Sequence, residues 1–240
     1  DGGPMMGAVM QNLGGCVSKK NKGFVILKKS HTLIRRKALG PQQARHINRA
    51  SCEQCRMCTD LCPRYLLGHN LQPHKIMRSV AYSRNNPEEQ KMALLCCQCN
   101  LCELFSCPAG LFPRSANLAV KQKLVGQKIK YQTDQKVFSP RPVRGQRLVP
   151  SQRLIARLGL HDFDLPAPIT EVSIKPERYS FAMSQHVGAP CTPVVTVGQH
   201  VQAGELLGAV PQGSLGAPVH ASICGTVTGC QNGAVVVRGD

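Results

Sequence analysis

The fold of this chain is decided by two cysteine-rich stretches, CEQCRMCTDLCP at residues 52–63 and CCQCNLCELFSCP at residues 96–108. Each contains three cysteines separated by two residues, followed by a further cysteine that immediately precedes a proline. Nine of the chain's 13 cysteines lie in these two arrays. Three cysteines at this spacing followed by Cys-Pro form the ligand pattern of paired [4Fe–4S] clusters, so we expect two such clusters.

The spacing also predicts which cysteines share a cluster. Three closely spaced thiolates come from one tight loop that wraps three irons, and the fourth ligand must come from elsewhere. In two-cluster ferredoxins the Cys-Pro cysteine of each run ligates the other cluster. The predicted ligand sets are Cys52, Cys55, Cys58 and Cys107 for cluster 1, and Cys62, Cys96, Cys99 and Cys102 for cluster 2.

The second array departs from the ideal spacing in two ways. Four residues separate Cys102 from Cys107, where the first array has three between its last two cysteines. The extra thiol of Cys97 stands beside Cys96. We interpret Cys97 as a cysteine that is either buried or adjacent to the ligands without being one of them, with replacement of Cys96 by Cys97 as the alternative.

Zinc and disulfides are the structural alternatives for so many cysteines. A zinc ribbon needs only four ligands from paired C-x2-C modules and would leave Cys58, Cys62, Cys102 and Cys107 without a role. A disulfide scaffold fits poorly because the cysteine number is odd and 240 residues suffice for an ordinary core. We therefore expect reduced thiols in an intracellular protein.

The chain is strongly basic, with 30 Lys and Arg against 13 Asp and Glu. Much of this charge lies in residues 19–37 and 121–157. Basic patches attract phosphate, so a nucleic-acid-binding protein is one alternative. We favour a basic face that docks an acidic protein, because base-stacking aromatics are few and no nucleic-acid-binding signature is present. No apolar run approaches the roughly 20 residues of a membrane span.

Helical signals surround the two arrays. Pro41 begins a helix that leads into the first array, and Pro87-Glu88-Glu89 begins another that leads into the second. Such an insert between the arrays predicts a mainly α-helical ferredoxin module. The predicted helices lie at residues 41–50, within 63–95, at 114–125 and at 151–158, the last with Ser151 as its N-cap.

Strand signals dominate both ends of the chain. The run GFVIL at residues 23–27 predicts a buried strand, and we expect residues 1–30 to close a domain that begins before residue 1. From about residue 170 the chain has short β-branched runs between glycines and prolines. The segments VGAP (187–190) and LGAP (215–218) lie 28 residues apart. Each precedes a predicted strand, at 194–197 and 225–228, which indicates a small two-fold β-sandwich.

The histidines and cysteines of this last region are interpreted as structural. His186 and His220 each lie near one of the paired segments, where histidines usually serve as hydrogen-bonding groups. Cys191, Cys224 and Cys230 are too scattered for a third metal site, so we expect small core residues.

These features together resemble the RnfC-like family of electron-transfer proteins. The resemblance rests on GGPMMG at residues 2–7, the two arrays, and the pair HVGAP (186–190) and PVHAS (218–222). It implies a multidomain α+β chain with two [4Fe–4S] clusters. The implied domains are the end of a β-grasp (SLBB) domain at 1–30, a helical ferredoxin domain at 31–130, a linker at 131–169 and a β barrel-sandwich hybrid at 170–240.

The order of these domains refines the resemblance. In RnfC the β-sandwich comes first, whereas here it follows the cysteine arrays, as in cobalamin reductases of propanediol-utilisation microcompartments. That resemblance implies an oxidoreductase of the bacterial cytoplasm, inside a microcompartment, that uses NADH and FMN to reduce cob(III)alamin towards cob(I)alamin. The FMN and NADH sites are expected upstream of residue 1, which leaves this chain as an electron relay without catalytic residues.

The resemblance also implies partners. They are a corrinoid-handling enzyme or another protein electron acceptor, and microcompartment shell proteins. No corrinoid-binding D-x-H-x-x-G motif is present, so cobalamin binding has no support in these residues. The alternatives are an RnfC-like electron-transport subunit that docks a partner complex and a zinc or iron–sulfur protein that binds nucleic acid.

Overall fold

A computed structural model describes residues 1–50, 52–84, 86–171 and 174–240. The chain forms two compact units, each considered by itself. The helical unit comprises Gly2–Val9 and Val25–Pro166, and the β unit comprises Asp1, Met10–Phe24 and Ala167–Asp240. The expected mixture of helix and sheet is confirmed, whereas the predicted domain boundaries stay predictions.

The helical unit contains short helices that often begin at proline. Prolines at the first turn have no N–H to leave unpaired and a backbone angle suited to a helix. In the described part of the chain the α-helices are α1 (Thr32–Lys37), α2 (Pro41–Ala50), α3 (Met57–Asp60), α4 (Pro63–Leu66), α5 (Pro73–Ala81), α6 (Pro87–Lys91), α7 (Pro113–Gly126) and α8 (Ser151–Arg157). Shorter 3₁₀ turns lie at Met92–Leu95, Pro142–Arg147 and His161–Phe163, and a π turn lies at Cys102–Ser106.

The helices predicted around the arrays are present. Asn86 caps α6 by accepting a hydrogen bond from the Glu89 N–H, as its position before Pro87 suggests. The predicted role of Ser151 is wrong. Ser151 is the first residue of α8 and not the residue before it, so the N-cap is Pro150. No side chain caps the helix at that end.

The core of the helical unit forms where α5 packs against α7. Ile76, Val120 and Leu124 belong to one apolar cluster that also contains Cys62 and Cys96. Two of the predicted ligands are therefore part of the hydrophobic core, and the helices hold them in place.

The predicted strand at residues 23–27 is wrong. The segment is unpaired, and Phe24, Val25 and Ile26 are 49%, 48% and 91% exposed. Apolar β-branched residues favour a strand only where a neighbouring strand and a covered face are available. Residues 10–24 group with the β unit and residues 25–30 with the helical unit.

The β unit consists of antiparallel strands around one apolar core. Its described strands are β1 (Arg178–Ala182), β2 (Thr192–Pro193), β3 (His200–Val201), β4 (Leu206–Ala209), β5 (Val219–His220), β6 (Gly225–Gln231) and β7 (Ala234–Gly239). They form one sheet in the order β1-β7-β6-β3 and another in the order β2-β4-β5. Val201, Leu207 and Val235 are fully buried in the core.

The sandwich prediction is correct in outline. Among the described residues the strands form two separate sheets, and they do not close into a barrel. The strand predicted at 225–228 is part of β6, but the one predicted at 194–197 is wrong, since pairing occurs at Thr192–Pro193 instead. At these earlier residues, Thr192 pairs with Ala209 of β4 and Pro193 pairs with Gly208.

The two paired segments of the β unit contact each other. The Ala189 N–H donates to the Leu215 carbonyl at 2.9 Å, and the Ala217 N–H donates to His186 Nε2 at 2.9 Å. The structural role expected for His186 is therefore confirmed. Of the three cysteines expected in the core, Cys191 is buried and Cys230 half-buried, but Cys224 is exposed, so its prediction is wrong.

Candidate iron–sulfur centre

The two cysteine loops share an unusual backbone. Gln54 and Arg56 in the first loop have φ of 59° and 63°, and Gln98 and Asn100 at the same positions of the second have 58° and 70°. Left-handed conformations are uncommon for residues other than glycine. Alternation of left- and right-handed residues turns successive N–H groups towards one side, which creates a concave anion-binding backbone. A glutamine occupies the first of these left-handed positions in both loops.

The first predicted set of cysteines comes together in the structure. Cys52, Cys55, Cys58 and Cys107 line one small cavity, together with His74 and other residues. Cys107 packs in the same apolar cluster as Met77 and Leu111, with Cys52 against it. The cysteine before Pro108 thus lies with the loop of the other array.

The second predicted set also comes together. Cys62 and Cys96 belong to one buried cluster, and Cys99 is close enough to Cys62 to influence its ionisation. Cys102 is influenced by both Cys62 and Cys96. The cysteine before Pro63 therefore lies with the second loop, so the two Cys-Pro cysteines are exchanged between the loops.

Burial makes ionised thiolates unfavourable in both groups. Burial and the neighbouring thiols raise the pKa of Cys58 to about 12. Burial also raises the pKa of Cys62 to about 12, although N–H groups of Tyr65 and Arg64 lower it in part. A metal centre that supplies positive charge is needed to bind these groups as thiolates. Cysteine sulfur is the donor preferred by iron–sulfur clusters, so the donor set fits them.

Backbone N–H groups point at several sulfurs. The Leu111 N–H donates to Cys107 Sγ at 3.3 Å, and the Gln98 N–H donates to Cys96 Sγ at 3.4 Å. Hydrogen bonds to sulfur are one of the means by which proteins set cluster potentials. Each group thus combines four thiols with N–H donors.

The arrangement of the described side chains does not form a site for a single metal ion. Within the described ranges, no group of three or more His, Cys, Asp or Glu side chains is placed to hold a single ion. A zinc site would need its four donors at about 2.0–2.3 Å from one point. The zinc alternative therefore gains no support from the arrangement of the cysteines.

The longer gap in the second array is absorbed by a π turn. Cys102–Ser106 form this turn, and Ser106 Oγ donates to the Leu101 carbonyl at 3.0 Å. A π turn accommodates one extra residue within a helix. As a result Cys107, with φ −78° and ψ 114°, has nearly the conformation of Cys62, with φ −71° and ψ 122°.

Of the two interpretations of Cys97, burial is wrong, whereas a position adjacent to the predicted ligands agrees with the structure. Cys97 is exposed, as is Glu53 at the same position of the first loop, because this position faces outwards in both. Burial raises the pKa of Cys99, and the neighbouring Cys97 raises it further. Cys96 is buried and lies near Cys62, which favours Cys96 as the member of the predicted set.

Polar contacts that the sequence did not predict support the first group. The Phe112 N–H donates to Asn48 Oδ1 at 2.7 Å, and Asn48 Nδ2 donates to the Phe112 carbonyl at 3.2 Å. Thr59 Oγ1 and His74 Nδ1 form a buried hydrogen bond of 2.7 Å. The two partners in these contacts are 64 and 15 residues apart in sequence, so no local sequence pattern predicts the hydrogen bonds.

Positive charge collects beside the first group. Burial lowers the pKa of His74 to about 4, and the nearby cations Arg56, Lys75 and Arg78 lower it further.

No helix among the described residues is both long and apolar enough to cross a membrane.

The two cysteine groups, together with the β unit that follows them in sequence, are typical of iron–sulfur electron-transfer proteins. Residues 51–112 match the family described as a 4Fe-4S dicluster domain, and residues 164–238 match the RnfC barrel sandwich hybrid domain. These two domain matches confirm the predicted resemblance to the RnfC-like electron-transfer proteins.

Comparison with curated proteins identifies its relatives. The chain is 40% identical over 242 aligned residues to cobalamin reductase PduS of Citrobacter freundii and to PduS of Salmonella typhimurium. The alignment covers 100% of this chain and 53% of each relative, so the chain spans about half of their length. Both relatives are named as cobalamin reductases, which are oxidoreductases.

A shorter similarity extends to ion-translocating complexes. One component of the Na(+)-translocating ferredoxin:NAD(+) oxidoreductase complex of Acetobacterium woodii is 49% identical over 53 residues, which are 22% of this chain and 12% of that protein.

Proposed function

We propose that this chain carries electrons through two [4Fe–4S] clusters as the relay part of a cobalamin reductase. The observation that carries the proposal is the exchange of Cys62 and Cys107 between the two loops, which gives each loop a fourth thiol. The ligand sets are those predicted from the spacing. Similarity to PduS over the full chain supports the substrate assignment.

When bound, each cluster takes up and releases one electron at a time. The residues of the chain hold the sulfurs in place, exclude water from most of them and direct N–H groups at them. Cys58 of the first set lies in the short helix α3, and Cys62 of the second set is the N-cap of the next helix, α4. Cys58 also lies near enough to influence the ionisation of Cys102. The two clusters are therefore close enough to exchange electrons.

The wider reaction is proposed from the resemblance to cobalamin reductases of this family. NADH would give a hydride to FMN, which would release single electrons to the relay, and cob(III)alamin would be reduced towards cob(I)alamin. We place the NADH and FMN sites outside residues 1–240. The setting would be a bacterial propanediol-utilisation microcompartment, with a corrinoid-handling enzyme or another electron acceptor and shell proteins as partners.

Cofactor analysis of anaerobically purified protein tests the relay. We expect about eight irons and eight sulfides per chain, and the EPR spectrum of the dithionite-reduced protein should show interacting [4Fe–4S] centres. Bound zinc in place of iron, or an iron content of about four, would contradict the two-cluster proposal. A quantitative zinc assay on the same sample serves as the control.

The second candidate is an RnfC-like protein that docks a partner complex without reducing cobalamin. The local similarity to a component of the Na(+)-translocating complex favours it. The two candidates differ in their reaction with hydroxocobalamin. Addition to the reduced chain should oxidise the clusters and form cob(II)alamin in the proposed reductase, whereas clusters that stay reduced would favour the docking protein.

A further inference from the structure

The two cysteine groups differ in their distance from the protein surface. In the first group Cys55 is exposed and Cys52 half-buried. In the second group only Cys99 is half-buried, and the other members are buried. Because electron transfer between proteins requires close approach, the first group is the better point of exchange with a partner.

Fixed cations also favour the first group. Arg36 donates to the carbonyls of Glu103 at 2.9 Å and Leu111 at 2.8 Å, and its guanidinium lies 4.5 Å from the centre of the Phe112 ring. These contacts hold a half-buried positive charge close to both the Glu103 carboxylate and the Cys107 sulfur. Arg157 donates to the Cys107 carbonyl at 3.3 Å. Its side chain is exposed, so solvent and salt screen its electrostatic interaction with the cysteine group.

The charges beside the second group oppose one another. Lys121 Nζ donates to the Cys96 carbonyl at 2.7 Å. The carboxylate of Glu103, which is 7% exposed and adjoins Cys102 in sequence, accepts hydrogen bonds from the N–H and hydroxyl of Ser115. A buried anion disfavours addition of an electron nearby, whereas a cation favours it.

We propose that the first group holds the cluster of higher potential and that electrons leave the chain there, to an acidic protein partner. This inference rests on the proposed relay function. One electron passes from the reduced second centre to the oxidised first centre and then to an oxidised one-electron acceptor on the partner. The second centre is oxidised, the acceptor is reduced, and no proton is consumed.

The charge around the exposed group indicates the chemistry of the partner. Arg56 is half-exposed beside Cys55, and Arg78 donates to Gln54 Oε1 at 2.8 Å, so both cations border the first loop. Lys75 lies close enough to His74 to lower the pKa of its imidazole, and His74 lines the cavity that contains the first group of cysteines. Complementary charge increases the rate of encounter between proteins, so a partner with an acidic surface fits this border.

The first experiment is an EPR-monitored redox titration of the holo-protein and its Arg36→Gln variant. We expect the higher of the two midpoint potentials to become more negative while the lower one changes less. Arg35→Gln is the matched control, because Arg35 neighbours Arg36 on α1 but is exposed. Arg36→Lys retains the charge and should keep the potential close to wild type.

A larger shift of the lower potential, or equal shifts with Arg36→Gln and Arg35→Gln, would overturn the proposal. Iron content separates this failure from failure of the relay function, because both variants and wild type should still bind about eight irons. If Arg36→Gln loses iron, the charge-retaining Arg36→Lys is compared with Arg36→Met at matched iron content.

The second experiment measures the oxidation rate of the reduced protein by small charged acceptors. Ferric EDTA is anionic and hexaammineruthenium(III) is cationic. Arg56→Asn should slow the reaction with ferric EDTA about threefold at low salt and accelerate that with hexaammineruthenium(III). Asparagine suits the left-handed backbone, since Asn100 occupies the equivalent position.

Lys123→Gln is the matched control for lost positive charge. Lys123 is exposed on α7, next to Leu124 of the core cluster that contains Cys62 and Cys96. Its removal should change either rate by less than Arg56→Asn does. An equal or larger effect of Lys123→Gln would place the exit elsewhere and overturn the proposal.

Discussion

The first and second cysteine loops have the same backbone but different surroundings. Both have left-handed residues at their third and fifth positions, and both end in an extended cysteine before proline. Yet the first loop leads into α3 and has four exposed residues in succession, from Glu53 to Arg56, whereas the second leads into a π turn and has only Cys97 exposed. The shape that receives a cluster is thus local, whereas the environment of the cluster comes from the rest of the unit.

The largest expected effect comes from paired removal of cysteines. Cys62→Ala combined with Cys102→Ala removes two members of one proposed set, so about four irons should remain. Cys62→Ala combined with Cys58→Ala removes one member of each set and should leave little iron. Iron and sulfide assays with EPR measure the outcome. If the first pair loses all iron and the second pair retains half, the exchange of Cys-Pro cysteines between loops is incorrect.

Removal of the Asn48 side chain should weaken the first loop more than the second. Asn48→Ala leaves the buried N–H and carbonyl of Phe112 without their partners, at a cost of about 2–3 kcal/mol in free energy of unfolding. Denaturant unfolding of the holo-protein measures this loss. Gln43→Ala, at an exposed position of the same helix, is the control and should change stability little. Equal losses for the two variants would contradict the role of Asn48.

A β-branched residue at the shared glutamine position tests whether the two loops have equal backbones. Gln54→Val and Gln98→Val should each cost about 1–2 kcal/mol, because valine is disfavoured in the left-handed region. The corresponding glycine variants should recover most of that loss. Thermal unfolding provides the comparison, and a stabilising effect of valine in one loop would show that its backbone differs from that of the other.

The smallest effect is expected at the outward-facing position of the second loop. Cys97→Ser should leave iron content and the EPR spectrum unchanged, because Cys97 is exposed. Cys96→Ser should disturb the second cluster, because Cys96 is buried beside Cys62. Loss of about four irons in Cys97→Ser, with none in Cys96→Ser, would make Cys97 the ligand.

Much of the helical unit could be predicted because its signals are local. The helices predicted from Pro41, from Pro87 and at residues 114–125 lie within a few residues of their observed ends. The run at 23–27 misled the prediction because a strand needs a partner that the run itself does not supply. The π turn after Cys102 was visible only as an extra residue, since spacing alone does not say how a chain accommodates an insertion.

The sequence by itself determined the number and spacing of the thiols and hence the iron–sulfur class, because a cluster-binding loop is built from neighbouring residues. Only the tertiary structure decided which loop reaches the surface and which charges surround it. Arg36 contacts carbonyls 67 and 75 residues away, and Asn48 contacts Phe112 across 64 residues. Such contacts depend on how the helices pack, and no short stretch of sequence specifies them.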